Sequence, residues 1–397
     1  MNQQPGLIPQ GIKDKSLDLL GLLFVLLIIG HRYKYQEAAA LGLILAIPAG
    51  AIWIYHSRTN NRPVQIPAYS WVYLPLILSG ILAVVNSIRP SLSLEELLIW
   101  AFNLMMVGFV INRKDKRGLL ICLLIAGILY AQAQIPSIIE GIGIHRPANP
   151  NNAGALLNVF ITSSLAIIFN SNTDTPNRTL AVVCWSLSSA VMLTTASRAA
   201  IMAGIAADVV VIIISNGWKS QMGWFWIVLS AGSRLSQIAG IFLLRSNIPD
   251  SVIPLNLQAS TVPRVAIYQS AWEIFKANPI MGAGLKSFLL INQLNGPVNT
   301  GKYIHAHNIY LSILVQMGLV GFVAVALSLT ATSWHILKEC PDQMIKAAAI
   351  AAIVTMLVHG LLDNPYFEPY NMRAILIPLA LAIPSKSLSD KMSLRGA

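Results

Sequence analysis

Apolar runs separated by short polar connections dominate this chain. A run of roughly 20 apolar residues crosses a bilayer as a helix, and the pattern predicts about twelve such spans. We place the spans near residues 16–30, 36–55, 68–87, 96–112, 118–138, 153–170, 179–196, 199–215, 223–245, 307–334, 344–362 and 372–384. The run from 179 to 215 is too long for one helix, so we divide it at Ser197-Arg198. The predicted fold is an all-α, polytopic integral membrane helix bundle.

One long polar connection interrupts the pattern. Within it, Pro263 can open an amphipathic helix from Arg264 to Ala277. We expect this helix to lie on the membrane surface or on the bundle through its apolar positions at helical spacing: Val265, Tyr268, Ala271, Trp272 and Phe275. Asn278-Pro279 then ends the helix, and Gly282 and Gly284 predict a flexible bend. We therefore divide the chain into an N-terminal transmembrane bundle (1–245), a loop with an amphipathic helix (246–306) and C-terminal transmembrane helices with a tail (307–397).

Composition supports a membrane protein and excludes several functional classes. The 397 residues are 55% hydrophobic and 11% charged, with a mean hydropathy of +0.64. The net charge of +11 is spread over connections between apolar runs, which is typical of membrane orientation rather than nucleic-acid binding. Three cysteines lack the spacing of a metal site or a disulfide framework. The first apolar run lacks a small-residue cleavage site, so we expect it to remain as the first span.

Basic residues in short connections predict the orientation. The cluster Arg113-Lys-Asp-Lys-Arg117 favours a cytoplasmic position for its connection, with both termini inside. Arg32 and Lys34 oppose this rule and leave the orientation of the first hairpin open. In this topology the long connection is periplasmic. The segments richest in reactive side chains, 145–152, 197–198, 246–305 and 363–370, then share that outer face.

The polar residues that precede the tenth span include the best candidate for proton transfer. His305, His307 and Asn308 stand where an apolar run of ~25 residues begins. Neutral imidazole can accept a proton near pH 7, so His307 is a candidate general base, with an interfacial capping histidine as the alternative. On a helix starting near His307, Tyr310, Gly318 and Gly321 lie close to one line and allow close packing. His305 precedes the helix and is expected to face water. An H-x-H pair alone lacks the further ligands of a zinc site, so we predict no metal.

Two arginines are candidates for binding an anion. Ser197 can cap a helix whose first residue is Arg198, so free N–H groups, the helix dipole and a guanidinium converge there. Arg264 opens the loop helix in a similar way. Two arginines facing one cavity can clamp a diphosphate, whereas separately they are ordinary interfacial arginines. Lys286, Lys302 and Arg146 could extend this positive region. His359 and Asp363 share a helix face, and we favour a structural pairing between them.

Three segments together resemble the O-antigen ligase and polymerase superfamily of bacterial membrane glycosyltransferases. They are Thr195-Ala-Ser-Arg-Ala-Ala200, the stretch from Pro263 to Phe288, and His305-Ala-His-Asn-Ile-Tyr-Leu311 through Gly321. The ligase pattern of a His, then Asn, Ser or Gln, nine residues and G-x-x-G fits His307, Asn308, Gly318 and Gly321. Phe322-Val323 stand where ligases often carry two threonines.

The resemblance implies an inner-membrane enzyme that transfers a saccharide from undecaprenyl diphosphate to an acceptor hydroxyl at the periplasmic face. It implies that Arg198 and Arg264 bind the diphosphate and that His307 serves at the transfer site, with neither a cofactor nor a metal ion. A ligase would use lipid A-core as the acceptor, and a polymerase would use another lipid-linked glycan.

Two alternatives from other classes remain open. Some superfamily members have been proposed as inorganic-carbon transporters, and transport requires charged or broken helices near the membrane midplane. Asp208 and Ser233-Arg234 provide the ionisable residues within apolar spans that transport would require. A flippase or an assembly partner would need the arginines but not His307.

Overall fold

The computed structural model describes residues 70–111, 115–139, 150–247, 264–295 and 305–383. Within these ranges the fold is helical and contains no strand. The helices are α1 Leu74–Val85, α2 Pro90–Ile111, α3 Lys116–Ile139, α4 Pro150–Ile168, α5 Thr175–Thr195, α6 Arg198–Ile214, α7 Gln221–Asn247, α8 Arg264–Ala277, α9 Ser287–Asn295, α10 Ile309–Glu339, α11 Gln343–Gly360 and α12 Pro369–Ala382. The predicted spans 16–30 and 36–55 lie outside the described residues.

The helices have the lengths and composition of a multi-pass membrane protein. Among the described residues, six helices are long and apolar enough to cross a bilayer, namely α2, α3, α4, α5, α10 and α11. Two shorter apolar helices, Trp71–Val85 and Tyr370–Ala382, accompany them. The all-helical membrane class is therefore confirmed. The total of twelve spans, the periplasmic position of the loop and the division into three parts stay predictions.

Helices α4 and α11 form the centre of the bundle. Nearly the whole length of α4 is buried, and α11 packs against both α4 and α6. Small side chains permit this close approach: Ala347, Ala348, Ala349, Ala351 and Ala352 of α11 are fully buried. A Cβ added at Gly154 of α4 would lie 2.5 Å from the Cβ of Ala200 in α6. This small-residue packing brings the ends of α4, α6 and α11 together.

The break predicted at Ser197-Arg198 is present. Helix α5 ends at Thr195, Ala196 adopts a left-handed conformation with φ of 47°, and α6 begins at Arg198. The Ser197 hydroxyl accepts a hydrogen bond from the Ala200 N–H, as predicted for a cap. The chain therefore reverses direction between two antiparallel helices.

Gly318 breaks α10, which the sequence predicted as one continuous helix. Its φ of 63° and ψ of −163° belong to a region that only glycine adopts without strain. A Cβ at this position would lie 2.3 Å from the carbonyl oxygen of Ile280. The close approach predicted for the glycines is thus made by a loop rather than by another helix.

The loop from Pro279 to Gly284 fills the break in α10. The N–H groups of Ala283 and Gly284 donate to the carbonyl oxygens of Val315 and Gln316, at 2.8 and 3.1 Å. In return, the N–H groups of Leu319 and Val320 donate to Pro279 and Ile280, at 2.9 and 3.1 Å. These bonds satisfy backbone groups that the break would otherwise leave unpaired. The predicted flexible bend at Gly282 and Gly284 is therefore wrong, because both glycines are held in a hydrogen-bonded insertion.

The loop helix α8 has the predicted bounds, and its buried face only partly overlaps the predicted apolar face. Ile267, Ala271, Ile274 and Phe275 are buried, partly against α10, whereas Val265 and Trp272 are exposed. The sequence pattern could not choose between two overlapping apolar stripes on this helix, and the packing surface of α10 selects one of them.

The charges inside α6 and α7 neutralise one another. Arg234 Nε lies 2.8 Å from Asp208 Oδ2, and its Nη2 lies 3.2 Å from Oδ1. Ser230 donates to the same carboxylate, and Gln237 accepts from Arg234. A Cβ at Gly204 would lie 2.4 Å from the guanidinium carbon of Arg234. Glycine at this position therefore leaves room for the Arg234 side chain between α6 and α7. The pair is buried and hydrogen-bonded, as expected for charges that hold two helices together in a membrane.

Candidate functional site

His307 lies in the turn that leads into α10. The helix begins at Ile309, two residues later than the predicted start, because Asn308 is its N-cap and accepts a hydrogen bond from Leu311 N–H. His307 has a φ of 49°, a left-handed conformation that is unusual for a residue with a side chain. This turn points the imidazole away from the helix and toward the end of α11.

Asp363, just beyond α11, holds His307 by a hydrogen bond. The two side chains meet at 2.8 Å between His307 Nδ1 and Asp363 Oδ1, with Asp363 4% exposed and His307 26% exposed. Burial opposes ionisation of Asp363, but the bond and charge of His307, together with the Asn364 N–H, hold the carboxyl pKa well below its usual range. An ionised carboxylate can only accept, so Nδ1 of His307 donates the hydrogen of this bond.

The other oxygen of Asp363 connects the pair to the start of α6. Asn151, at the N-terminus of α4, donates its Nδ2 hydrogen to Asp363 Oδ2. The Oδ1 atom of Asn151 accepts a hydrogen bond of 2.6 Å from the Ser197 hydroxyl. His307, Asp363, Asn151 and Ser197 therefore form one hydrogen-bonded series across four helix ends.

Arg264 approaches the same region from the first residue of α8. Its Nη1 donates to the carbonyl oxygen of Leu362 at 2.6 Å. Its guanidinium also lies beside Tyr268, whose hydroxyl donates to the carbonyl oxygen of His307 at 3.3 Å. Burial raises the pKa of Tyr268, and the positive charge of Arg264 opposes that rise. One edge of the guanidinium is thus fixed to the loop after α11.

Arg198 is the first residue of α6. Its side chain is exposed, and its neighbour Ser197 is bonded to Asn151, which in turn contacts Asp363. The structure therefore places Arg198, Arg264 and His307 at the same end of the bundle. The N-terminus of α6 adds its partial positive charge there.

His305 does not face water as predicted. Its ring packs edge-on against that of His307, with 4.6 Å between the centroids, and its Nδ1 accepts the His307 N–H at 3.3 Å. Burial, and then the neighbouring His307, lowers the pKa of His305 to about 4. His305 is therefore a neutral residue that supports the turn containing His307.

His359 does not pair with Asp363 as predicted from their helical spacing. Its side chain is fully buried and packs edge-on against Tyr366, with 5.9 Å between the ring centroids. Helix α11 ends at Gly360, so the chain turns before Asp363 and directs this carboxylate to His307 instead.

Several secondary candidates have partners within the protein. Lys286 Nζ pairs with Glu95 and Glu96 at 3.1 and 3.3 Å, so its charge is neutralised within the protein. Asn308 donates to the carbonyl oxygen of Leu361 as well as capping α10, and Tyr310 donates to that of Leu357 at 2.8 Å. Arg146 and Lys302 lie outside the described residues.

The family comparison bears on these same segments. Residues 182–326 match the family model described as O-antigen ligase. This segment is therefore similar to the O-antigen ligase family. No curated protein matches the chain. The match confirms the resemblance to the ligase and polymerase superfamily and supports a membrane glycosyltransferase of that general type.

The matched segment contains only part of the hydrogen-bonded series. Arg198, Arg264 and His307 lie within residues 182–326, whereas Asn151 and Asp363 lie outside the matched segment. The sequence pattern did not indicate Asp363 as the partner of His307. The only signal was that Asp363 falls in an outer connection of the predicted topology.

Proposed function

We propose that the protein transfers a saccharide from undecaprenyl diphosphate to an acceptor hydroxyl at the periplasmic face of the bacterial inner membrane. The observation that carries this proposal is the His307–Asp363 pair, with its imidazole partly exposed beside Arg264 and near the Arg198 helix end. The match to the O-antigen ligase family supports the same reaction class.

His307 is the base in this reaction. Because Asp363 holds the proton on Nδ1, Nε2 accepts the proton of the acceptor hydroxyl as its oxygen attacks the anomeric carbon of the donor sugar. Asp363 stabilises the imidazolium that forms and keeps the ring in one orientation, as the acidic member of a catalytic triad does. Positioned general bases typically contribute about 10²- to 10⁴-fold in rate.

Arg198 and Arg264 bind the departing diphosphate. The bond from the anomeric carbon to the phosphate oxygen breaks during attack, so negative charge grows on the leaving group. Arg264 keeps donor nitrogens available, because one Nη1 bond to Leu362 fixes its orientation. Arg198 adds a second guanidinium at a helix N-terminus, where phosphate is stabilised by the dipole. We propose no cofactor and no metal ion for the reaction.

The acceptor distinguishes a ligase from a polymerase. The fit of His307, Asn308, Gly318 and Gly321 to the ligase pattern favours transfer to lipid A-core, and we propose the ligase reaction first. Phe322-Val323, in place of two threonines, favours the alternative of transfer to another lipid-linked glycan. Transport has less support, because Asp208 and Arg234 form a buried ion pair with each other.

Glycan profiling of a deletion strain tests the proposal and separates its two forms. Loss of long-chain lipopolysaccharide with accumulation of full-length lipid-linked polymer supports the ligase. Products limited to a single repeat support the polymerase. An unchanged glycan profile contradicts both, and the transporter would then be tested by solute uptake.

A further inference from the structure

In the sequence, the H-x-H pair of His305 and His307 lacks the further ligands of a metal site. The fold brings Asp363 beside this pair as a third ligand. Ligand atoms of His305, His307 and Asp363 all lie within 4.8 Å of one another. Two imidazole nitrogens and one carboxylate oxygen form a donor set that zinc and its neighbours in the periodic table prefer to calcium or magnesium.

The spacing is close to that of a tetrahedral site. Zinc bonds of about 2.0–2.1 Å place neighbouring donors roughly 3.3 Å apart. The His307 Nδ1 to Asp363 Oδ1 separation is already 2.8 Å, and the two imidazole rings are in contact. The other ligand-atom separations are at most 4.8 Å, so His305 has to move closer to bind the ion, and the partial exposure of His307 leaves room for a fourth ligand from solvent.

The carboxylate is also held in place for binding. The Asn364 N–H donates to Asp363 Oδ1 at 2.7 Å, and Asn151 donates to Oδ2. Partners of this kind orient a metal-binding carboxylate and typically raise affinity by about 10- to 100-fold. A metal ion at this position would replace the proton shared by His307 and Asp363.

We propose that a divalent transition-metal ion, of which zinc is the probe, binds to His305, His307 and Asp363 and inhibits the transfer reaction. The inhibitory role rests on the proposed function, in which Asp363 must orient a metal-free His307. Once Nδ1 binds zinc, Asp363 no longer sets the basicity of the ring, and the bound ion repels the proton that Nε2 has to accept. The ion would also attract donor phosphate to an unproductive position.

Titration calorimetry with Zn²⁺ on the purified full-length protein in detergent tests the binding step. We compare the wild type with His305→Asn, because the Asn amide oxygen can still accept the His307 N–H although it is a poor zinc ligand. The wild type should bind one Zn²⁺, and His305→Asn should bind it at least about tenfold more weakly. Mg²⁺ at the same concentration should bind to neither protein.

Transfer assays on the same preparations test inhibition. The zinc concentration for half-inhibition is measured within each variant, relative to its own rate in the presence of a chelator. This half-inhibitory zinc concentration should be higher in His305→Asn than in the wild type, by the same factor as the dissociation constant for Zn²⁺. No zinc binding by the wild type, equal binding by both proteins, or faster transfer with zinc would overturn the proposal. Zinc binding without any transfer by chelated wild type would retain the metal site and overturn the proposed function instead.

Discussion

At the scale of the residue, the essential contact is the hydrogen bond between His307 and the carboxylate of Asp363, 56 positions away in the sequence. Sequence analysis could identify His307, Arg198 and Arg264, because each stands at a helix start where its chemistry is recognisable. It could not find Asp363, since helical spacing linked that residue to His359, and only the turn after α11 shows where its side chain points. The exposure of His305 was misjudged for a similar reason, because ring packing is a tertiary property.

Replacement of Asp363 by Asn should impair catalysis more than substrate binding. An Asn side chain can donate to His307 Nδ1 and so favour the tautomer with its proton on Nε2, which cannot accept another. We expect kcat to fall by about 10²- to 10⁴-fold, with lipid-diphosphate binding retained. Asp208→Asn is the matched control, because it removes a buried carboxylate far from His307. If Asp208→Asn loses as much kcat, the effect of Asp363→Asn is explained by lower protein stability rather than by the loss of a catalytic contact.

The two arginines should act through their planar geometry as well as their charge. Arg198→Lys and Arg264→Lys should each weaken binding of undecaprenyl diphosphate, and the alanine variants should weaken it further. Lys219→Ala, an exposed charge in the connection between α6 and α7, serves as the control. Binding is measured on purified protein. If the double alanine variant binds undecaprenyl diphosphate with undiminished affinity, both residues are ordinary interfacial arginines that do not bind the diphosphate.

At the scale of the element, α10 and the loop inserted into it form one unit. The sequence could predict the glycines and a close approach, because small residues and a helix start are local signals. It could not predict that the approaching partner is the 279–284 backbone, which donates and accepts bonds across the break. The amphipathic character of α8 was likewise predictable from the sequence. Which of its sides is buried was not, because the surface of α10 selects that side.

Gly318→Ala should destabilise this unit. Alanine at this φ and ψ costs about 1–3 kcal/mol in backbone strain, and its Cβ would clash with Ile280. Gly232→Ala in α7 is the control, since an added Cβ there meets nothing within 4 Å and alanine favours a helix. Thermal unfolding in detergent should show a lower midpoint for Gly318→Ala only. Equal midpoints for both variants would show that the break does not require glycine.

At the scale of the whole molecule, the two ends of the bundle differ in chemistry. His307, Asp363, Arg264 and Arg198 occupy one end. The other end contains the Arg117–Asp342 ion pair of 2.8 Å and the bond from Lys116 to the Ile383 carbonyl oxygen. The sequence anticipated this separation, because basic connections and reactive segments fell on opposite sides of the predicted topology. The side on which each end lies is a prediction.

Cysteine labelling should place these ends on opposite sides of the inner membrane. In a variant without Cys122, Cys184 and Cys340, Glu273→Cys on α8 should react with an impermeant maleimide in cells whose outer membrane alone is permeable. Lys219→Cys at the other end should react only after the inner membrane is breached. The reverse pattern would invert the topology and exclude a periplasmic reaction.

The most direct measurement of the central claim is in vitro transfer by His307→Ala with a purified lipid-linked donor and an acceptor. The rate is measured in a chelator, beside donor binding and beside His335→Ala, a histidine near the far end of α10. We predict that His307→Ala loses about 10²- to 10⁴-fold in transfer while it binds the donor normally, and that His335→Ala retains activity. Full transfer activity of His307→Ala would contradict the account, because no other described residue is proposed to take the acceptor proton.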